Sequence, residues 1–167
     1  MLWILLFVFL LFSPSQGVLN GIDLETECLD GIVAAVTDFT FAGASSDYYV
    51  TLCTYNLSLY SMWAAAKIYC TPSEIEAGSI EYDGYCMEYG EVELVQYSEV
   101  EPALTDAYIK TLQIVDFNDT IEAKIWDNSF LISESLYEAS KRTVVSRRDY
   151  DFQRICLNFY GNTARLQ

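Results

Sequence analysis

The densest set of chemically competent side chains lies between positions 81 and 93, where Glu81, Asp83, Glu88, Glu91 and Glu93 alternate with Tyr82, Tyr85 and Tyr89. Carboxylates suit calcium, and carboxylate with phenolate suits ferric iron. The same residues also make a solvated acidic helix face with aromatic rings packed behind it. No EF-hand spacing occurs, so the solvated face accounts for them better, and no metal ligand is assigned. No catalytic residue is assigned either. The chain contains no histidine, which excludes histidine-dependent triads, His-ligated zinc and bis-histidine haem. It also lacks a G-x-S-x-G elbow, a P-loop and a G-x-G-x-x-G turn.

Cys28, Cys53, Cys70, Cys86 and Cys156 are the second chemical signal, and none forms a C-x-x-C pair. Scattered cysteines of this kind in an exported chain point to disulfides rather than zinc. Helix geometry narrows the pairing. Positions 47–69 contain no Pro or Gly and read as one helix. Thr71-Pro72-Ser73-Glu74 is a capping box with Pro at the first helical position, so a second helix starts there. The two predict an antiparallel helix hairpin over 47–90. Cys53, Leu57, Tyr60, Ala64 and Ile68 form one stripe; Ile75, Tyr82, Cys86 and Tyr89 form the other, with Glu74, Glu81, Glu88 and Glu91 turned away. Cys53 and Cys86 sit at similar distances from the turn and can meet. Straight helices of roughly 16 residues span about 24 Å, which keeps Cys70 from both. The expected bridges are Cys53–Cys86 and Cys28–Cys70, with Cys156 left over.

Export is read from the first residues. Met1 to Phe12 is an unbroken apolar run, too short for a bilayer span of roughly 20 residues. Ser15 and Gly17 supply small residues at the −3 and −1 positions, so 1–17 reads as a signal peptide cleaved after Gly17. Two sequons, Asn56-Leu57-Ser58 and Asn118-Asp119-Thr120, are candidate glycosylation sites. The remaining length fits one domain. Net charge is −15 and the isoelectric point is near 4.1, which disfavours binding to nucleic acid. The acid is densest from Glu74 to Glu101, whereas six of the nine basic residues lie between Lys141 and Arg165.

Elsewhere, Leu29 to Val36 is a short apolar element and 39–46 a loop. Pro102 and Thr105 start a helix running to about Leu112, and 114–120 is extended or loop. A last helix is expected from Asn128 to about Val145, with Ile132, Leu136 and Ala139 facing inward. The fold class is mainly α: a small disulfide-stabilised helical domain over 18–146, followed by an irregular tail over 147–167.

The string Ser61-Met-Trp-Ala-Ala-Ala-Lys-Ile-Tyr-Cys70-Thr-Pro-Ser-Glu-Ile-Glu-Ala-Gly78 resembles the extracellular N-terminal region of fungal ferric-chelate reductases. Tyr85-Cys86-Met-Glu-Tyr-Gly90-Glu-Val-Glu-Leu94 and Trp126 to Ser140 are similar to the same region. The resemblance covers roughly residues 20–145. It implies a plasma-membrane system of iron uptake that passes electrons from NADPH through FAD and haem to extracellular ferric chelates. The haem, FAD and NADPH parts of that family have no counterpart in this sequence. The expectation is therefore an ectodomain fragment, inactive alone, ending before the membrane domain and carrying no cofactor or transmembrane span. Its expected partners are ferric chelates or a reductase membrane domain, at the extracellular face of the plasma membrane. The alternative expectation is a stand-alone secreted glycoprotein with a binding or surface role.

Overall fold

Helix α1, Glu27–Val36, is apolar on nearly every side, and eight of its ten residues are buried. A helix that is hydrophobic all round must be enclosed by other elements. The computed structural model, which describes residues 25–122 and 124–163, encloses it with three longer helices. The expected signal peptide, 1–17, and its cleavage after Gly17 lie outside the described residues.

In chain order, α1 is followed by strand β1 (Thr40–Phe41) and helices α2 (Tyr48–Thr54), α3 (Asn56–Tyr69) and α4 (Pro72–Tyr85). A π-helical turn, Cys86–Gly90, continues α4. Then come α5 (Tyr97–Val100), a 3₁₀ turn (Glu101–Ala103), α6 (Asp106–Ile109), β2 (Gln113–Val115), α7 (Phe117–Ile121), β3 (Ile125–Trp126), β4 (Phe130–Ile132) and α8 (Glu134–Thr163). The strands form two small parallel pairs, β1 with β3 and β2 with β4. The molecule is mainly helical, with two disulfides.

Close approach to α1 depends on missing side chains. A Cβ on Gly31 would lie 2.8 Å from the Lys141 Cβ of α8, and one on Gly78 of α4 would lie 2.6 Å from the Leu29 Cβ. Helix α3 packs on α1, and its Trp63 and the run Ala64 to Ala66 are fully buried. It is also tied to β4. The Ser61 hydroxyl accepts from the Phe130 amide at 3.0 Å, and the Tyr69 hydroxyl donates to the Ile132 carbonyl at 2.9 Å. An aromatic group of Phe39, Phe41, Trp126 and Phe130 fills the space between β1, β3 and β4, with Phe41 and Phe130 stacked at 5.3 Å.

Several sequence expectations change. The helix expected over 47–69 is interrupted at Tyr55, whose backbone is extended at φ −83°, ψ 117°. No breaker residue marks the spot; the Tyr55 hydroxyl instead donates to the Ala42 carbonyl, a tertiary tie. The expected buried stripe also shifts. Ile68 is 46% exposed and Tyr89 54% exposed. Helix α3 is covered on more than one side, by α1, β4 and α5, so a single stripe does not describe it. Tyr89 falls in the π-helical turn, where the 3.6-residue period no longer holds.

The capping box at Thr71 and Glu74 is formed in both directions. The helix expected to run to Leu112 shrinks to α6, started by the Thr105 hydroxyl, which accepts from the Tyr108 amide at 3.2 Å. The 114–120 segment divides into the end of β2 and the short helix α7. The last helix does not begin at Asn128. Phe130–Ile132 is a buried strand paired with β2, and Ser133 ends it by accepting from the Leu136 amide at 3.2 Å. Helix α8 then continues to Thr163, through the segment expected to be irregular.

Two helical glycines of α4 give a matched test. Gly78→Ala forces a Cβ against fully buried Leu29, and overpacking of about 1–3 kcal/mol should outweigh the roughly 1 kcal/mol gained in helix propensity. Gly84→Ala meets nothing within 4 Å and should stabilise by about 0.5–1 kcal/mol. Urea unfolding midpoints should move in opposite directions for the two variants.

Candidate functional site

Burying α1 also buries a carboxyl group. Asp30 is 7% exposed and lies in the middle of the helix's apolar sequence. Its partners come from three elements. The Tyr82 hydroxyl of α4 donates to Asp30 Oδ1 at 2.9 Å. The Thr26 hydroxyl, one turn earlier, donates to Oδ2 at 3.4 Å. The Arg148 guanidinium of α8 forms an ion pair with Oδ2 and also donates to the Thr26 hydroxyl at 3.3 Å. A second carboxyl, Glu81, stands close enough to act on Asp30. Glu81 Oε1 accepts from the Tyr85 hydroxyl at 2.8 Å, while its buried Oε2 has no hydrogen-bond partner.

Burial pushes the Asp30 carboxyl above its ordinary value of 3.8, and Glu81 pushes the same way; Tyr82, Arg148 and Thr26 pull it back without cancelling the rise. Burial also raises the Tyr82 phenol, with the adjacent Asp30 adding to it. The Tyr85 phenol is pushed up to about 12, first by its hydrogen bond to Glu81 and then by burial. These phenols therefore act as hydrogen-bond donors at neutral pH. A cavity of about 440 Å³ opens beside the group, lined by Asp30, Tyr82 and Tyr48 on one side and by Leu136, Thr143 and Arg147 of α8 on the other. The chemistry of this arrangement is charge compensation. An aspartate is answered by an arginine and two hydroxyl donors, with no nucleophile–base pair beside it.

The 81–93 residues are divided by the fold. Tyr82 and Glu81 turn toward Asp30, and Asp83 Oδ1 accepts from the Leu94 amide at 3.0 Å. Glu88, Glu91 and Glu93 are exposed. Tyr89 stacks on Tyr49 at 5.1 Å. Among the described residues, no group of three or more His, Cys, Asp or Glu side chains is placed to hold a metal ion.

The disulfides are Cys28–Cys70 and Cys53–Cys86, with Cα separations of 5.8 and 6.0 Å. These are the pairs expected from the sequence. The first ties α1 to the α3–α4 junction, and the second ties α2 to the π-helical turn. The Tyr137 hydroxyl of α8 lies 3.2 Å from Cys28 Sγ. Nothing is described of the Cys156 side chain. Asn56 and Asn118 are both exposed, at the first position of α3 and within α7 respectively.

Asp30 and Arg148 were not singled out in the sequence. The available signal was one acidic residue inside the apolar sequence from Leu29 to Val36, which calls for a partner if that sequence is buried. Arg148 could not be found locally, because it lies 118 residues away. No protein-family profile matches the chain, and no curated protein or solved structure matches it.

Arg148→Met should leave Asp30 charged without its guanidinium and destabilise by about 2–3 kcal/mol, less than the roughly 3–5 of a fully buried pair because the arginine side chain is 30% exposed. Adding Asp30→Asn should restore most of the loss. The pH sign follows from the raised carboxyl. The folded state holds this proton more tightly than the unfolded state, so its contribution to stability falls as pH rises from 3.8 through the higher folded value. Arg148→Met should deepen that fall and extend it to higher pH, and the double variant should abolish the difference. Urea unfolding across pH 3–8 measures both.

Proposed function

We propose that this chain is the extracellular domain of a plasma-membrane ferric-chelate reductase system, with a binding or covering role and no electron-transfer chemistry of its own. The observation that carries the reading is the Ser61–Gly78 string, with its resemblance to that family's extracellular region. In the fold the string is the end of α3, the disulfide-bonded Cys70 and the capped start of α4. Its features are those of a structural joint, consistent with a domain whose partner supplies the haem and flavin. Disulfide bonding is compatible with an oxidising, extracellular compartment. Among the described residues, no helix is long and apolar enough to cross a membrane.

The exposed sequon asparagines Asn56 and Asn118 favour a second reading, a stand-alone secreted glycoprotein. Cross-linking on intact, iron-limited cells separates the two. A reductase ectodomain should be recovered joined to a haem-bearing membrane protein, through covalent continuity or a cross-link. Recovery of the chain only as free glycoprotein in the medium would overturn the first reading in favour of the second. The purified chain should show no NADPH-dependent ferric reduction; turnover without an added partner would sink the proposal.

A further inference from the structure

A cleft of about 580 Å³ lies between the first turns of α4 and the segment that begins α5. That is within the small-ligand range of roughly 300–1,000 Å³. Asp30 does not line it. Its apolar part includes Ile75, which is nearly buried at 8% exposure, and Ile80, which is 71% exposed. An isoleucine exposed to that degree beside a concave apolar surface gains from being covered.

The charges in the lining are unequal. Glu76 comes from α4 and Glu101 from the turn after α5, so the carboxylates belong to two different elements. The one cation in the lining, Lys67, donates its Nζ to the Leu104 carbonyl at 2.8 Å and keeps its charge, so two carboxylates against one ammonium leave the lining net negative. Tyr97 also lines the cleft. Its ring packs edge-on against buried Trp63 at 5.7 Å, and its hydroxyl lies 3.4 Å from Glu101 Oε1. A ring held in place next to a carboxylate offers both a π-face and an anion to a cation. The chain's net charge of −15 adds a field that concentrates cations and repels anions.

We propose that this cleft binds an organic monocation with an apolar body, the body covering Ile75 and Ile80 and the charge lying between Glu76, Glu101 and the Tyr97 ring. An apolar ligand without charge would gain nothing from Glu76 and Glu101, and an organic anion would be repelled by both of them. A bare metal ion would leave the apolar lining uncovered.

Tetraphenylphosphonium and tetraphenylborate, matched in size and opposite in charge, test this on the intact oxidised chain. Titration by heteronuclear NMR at 150 mM salt should give one-to-one phosphonium binding, with shifts centred on Ile75, Ile80 and Tyr97, and borate binding at least tenfold weaker. The Glu76→Gln/Glu101→Gln variant should weaken phosphonium binding at least fivefold, and Ile80→Ser should weaken both ions. Both changes are at exposed positions, and near-UV circular dichroism checks that the variants fold. A Glu88→Gln/Glu91→Gln variant lowers net charge equally at a different surface and should leave binding unchanged. Equal binding of the two ions, shifts centred elsewhere, or an equal loss in the Glu88/Glu91 variant would overturn the proposal in favour of nonspecific attraction.

Discussion

The burial of α1 is the constraint on which the rest of the structure depends. Eight of its ten residues are out of solvent, so α3, α4 and α8 must all reach it. Two of those approaches are possible only because Gly31 and Gly78 have no side chain, since a Cβ at either would come within 2.8 Å of Lys141 or Leu29. Helices packed this closely leave little room for adjustment, because protein interiors are near crystal density. The aromatic group around Phe130 and the short strand pairs then fill the side of the molecule that the long helices leave open.

The same burial creates an electrostatic demand. An ionised carboxylate inside a helix packed on several sides is expensive unless it is paired and hydrogen-bonded. Tyr82, Thr26 and Arg148 meet that demand from α4, from the residue leading into α1 and from α8. The ion pair therefore does more than join two side chains. It fixes which face of the long C-terminal helix lies against α1, because a rotation of α8 would take the guanidinium away from Asp30. The disulfides act at different joints: one holds α1 to the α3–α4 turn, and the other closes the end of α4 onto α2. Bridges over separations of 42 and 33 residues restrict the unfolded chain, each contributing roughly 2–4 kcal/mol. The Cys70 end of the first bridge also lines the surface cleft between α4 and α5.

The legible parts of the fold were those with a local cause. Thr71-Pro72-Ser73-Glu74 specifies its helix start by hydrogen bonds that span three residues, and the structure forms them. The cysteine pairs are those expected, although Cys53 lies on α2, beyond the break at Tyr55, and not on the single straight helix from which the pairing was argued. The parts that were not legible had distant causes. Tyr55 interrupts a helix through a hydroxyl bound to the Ala42 carbonyl. Phe130–Ile132 reads as the start of the last helix, expected from Asn128, yet it pairs with Gln113–Val115; a short apolar run has no period that separates strand from buried helix. Glu81 was assigned to the solvent face, yet one of its oxygens is buried, because its neighbour Tyr82 is drawn to Asp30.

By itself the sequence determined a mainly helical chain, the capped start of α4, two disulfides and an acidic surface. The first, second and last follow from composition or from interactions within a few residues; the disulfides, over separations of 42 and 33 residues, follow from the number and spacing of the cysteines. Tertiary structure alone decided that Asp30 would be buried and answered by Arg148, 118 residues away. It likewise decided that Ile75, Ile80, Tyr97 and two carboxylates would border one cleft. The physical reason is the same in both cases. Burial and charge pairing are set by which surfaces meet after the helices pack, and no local pattern of residues encodes that distance.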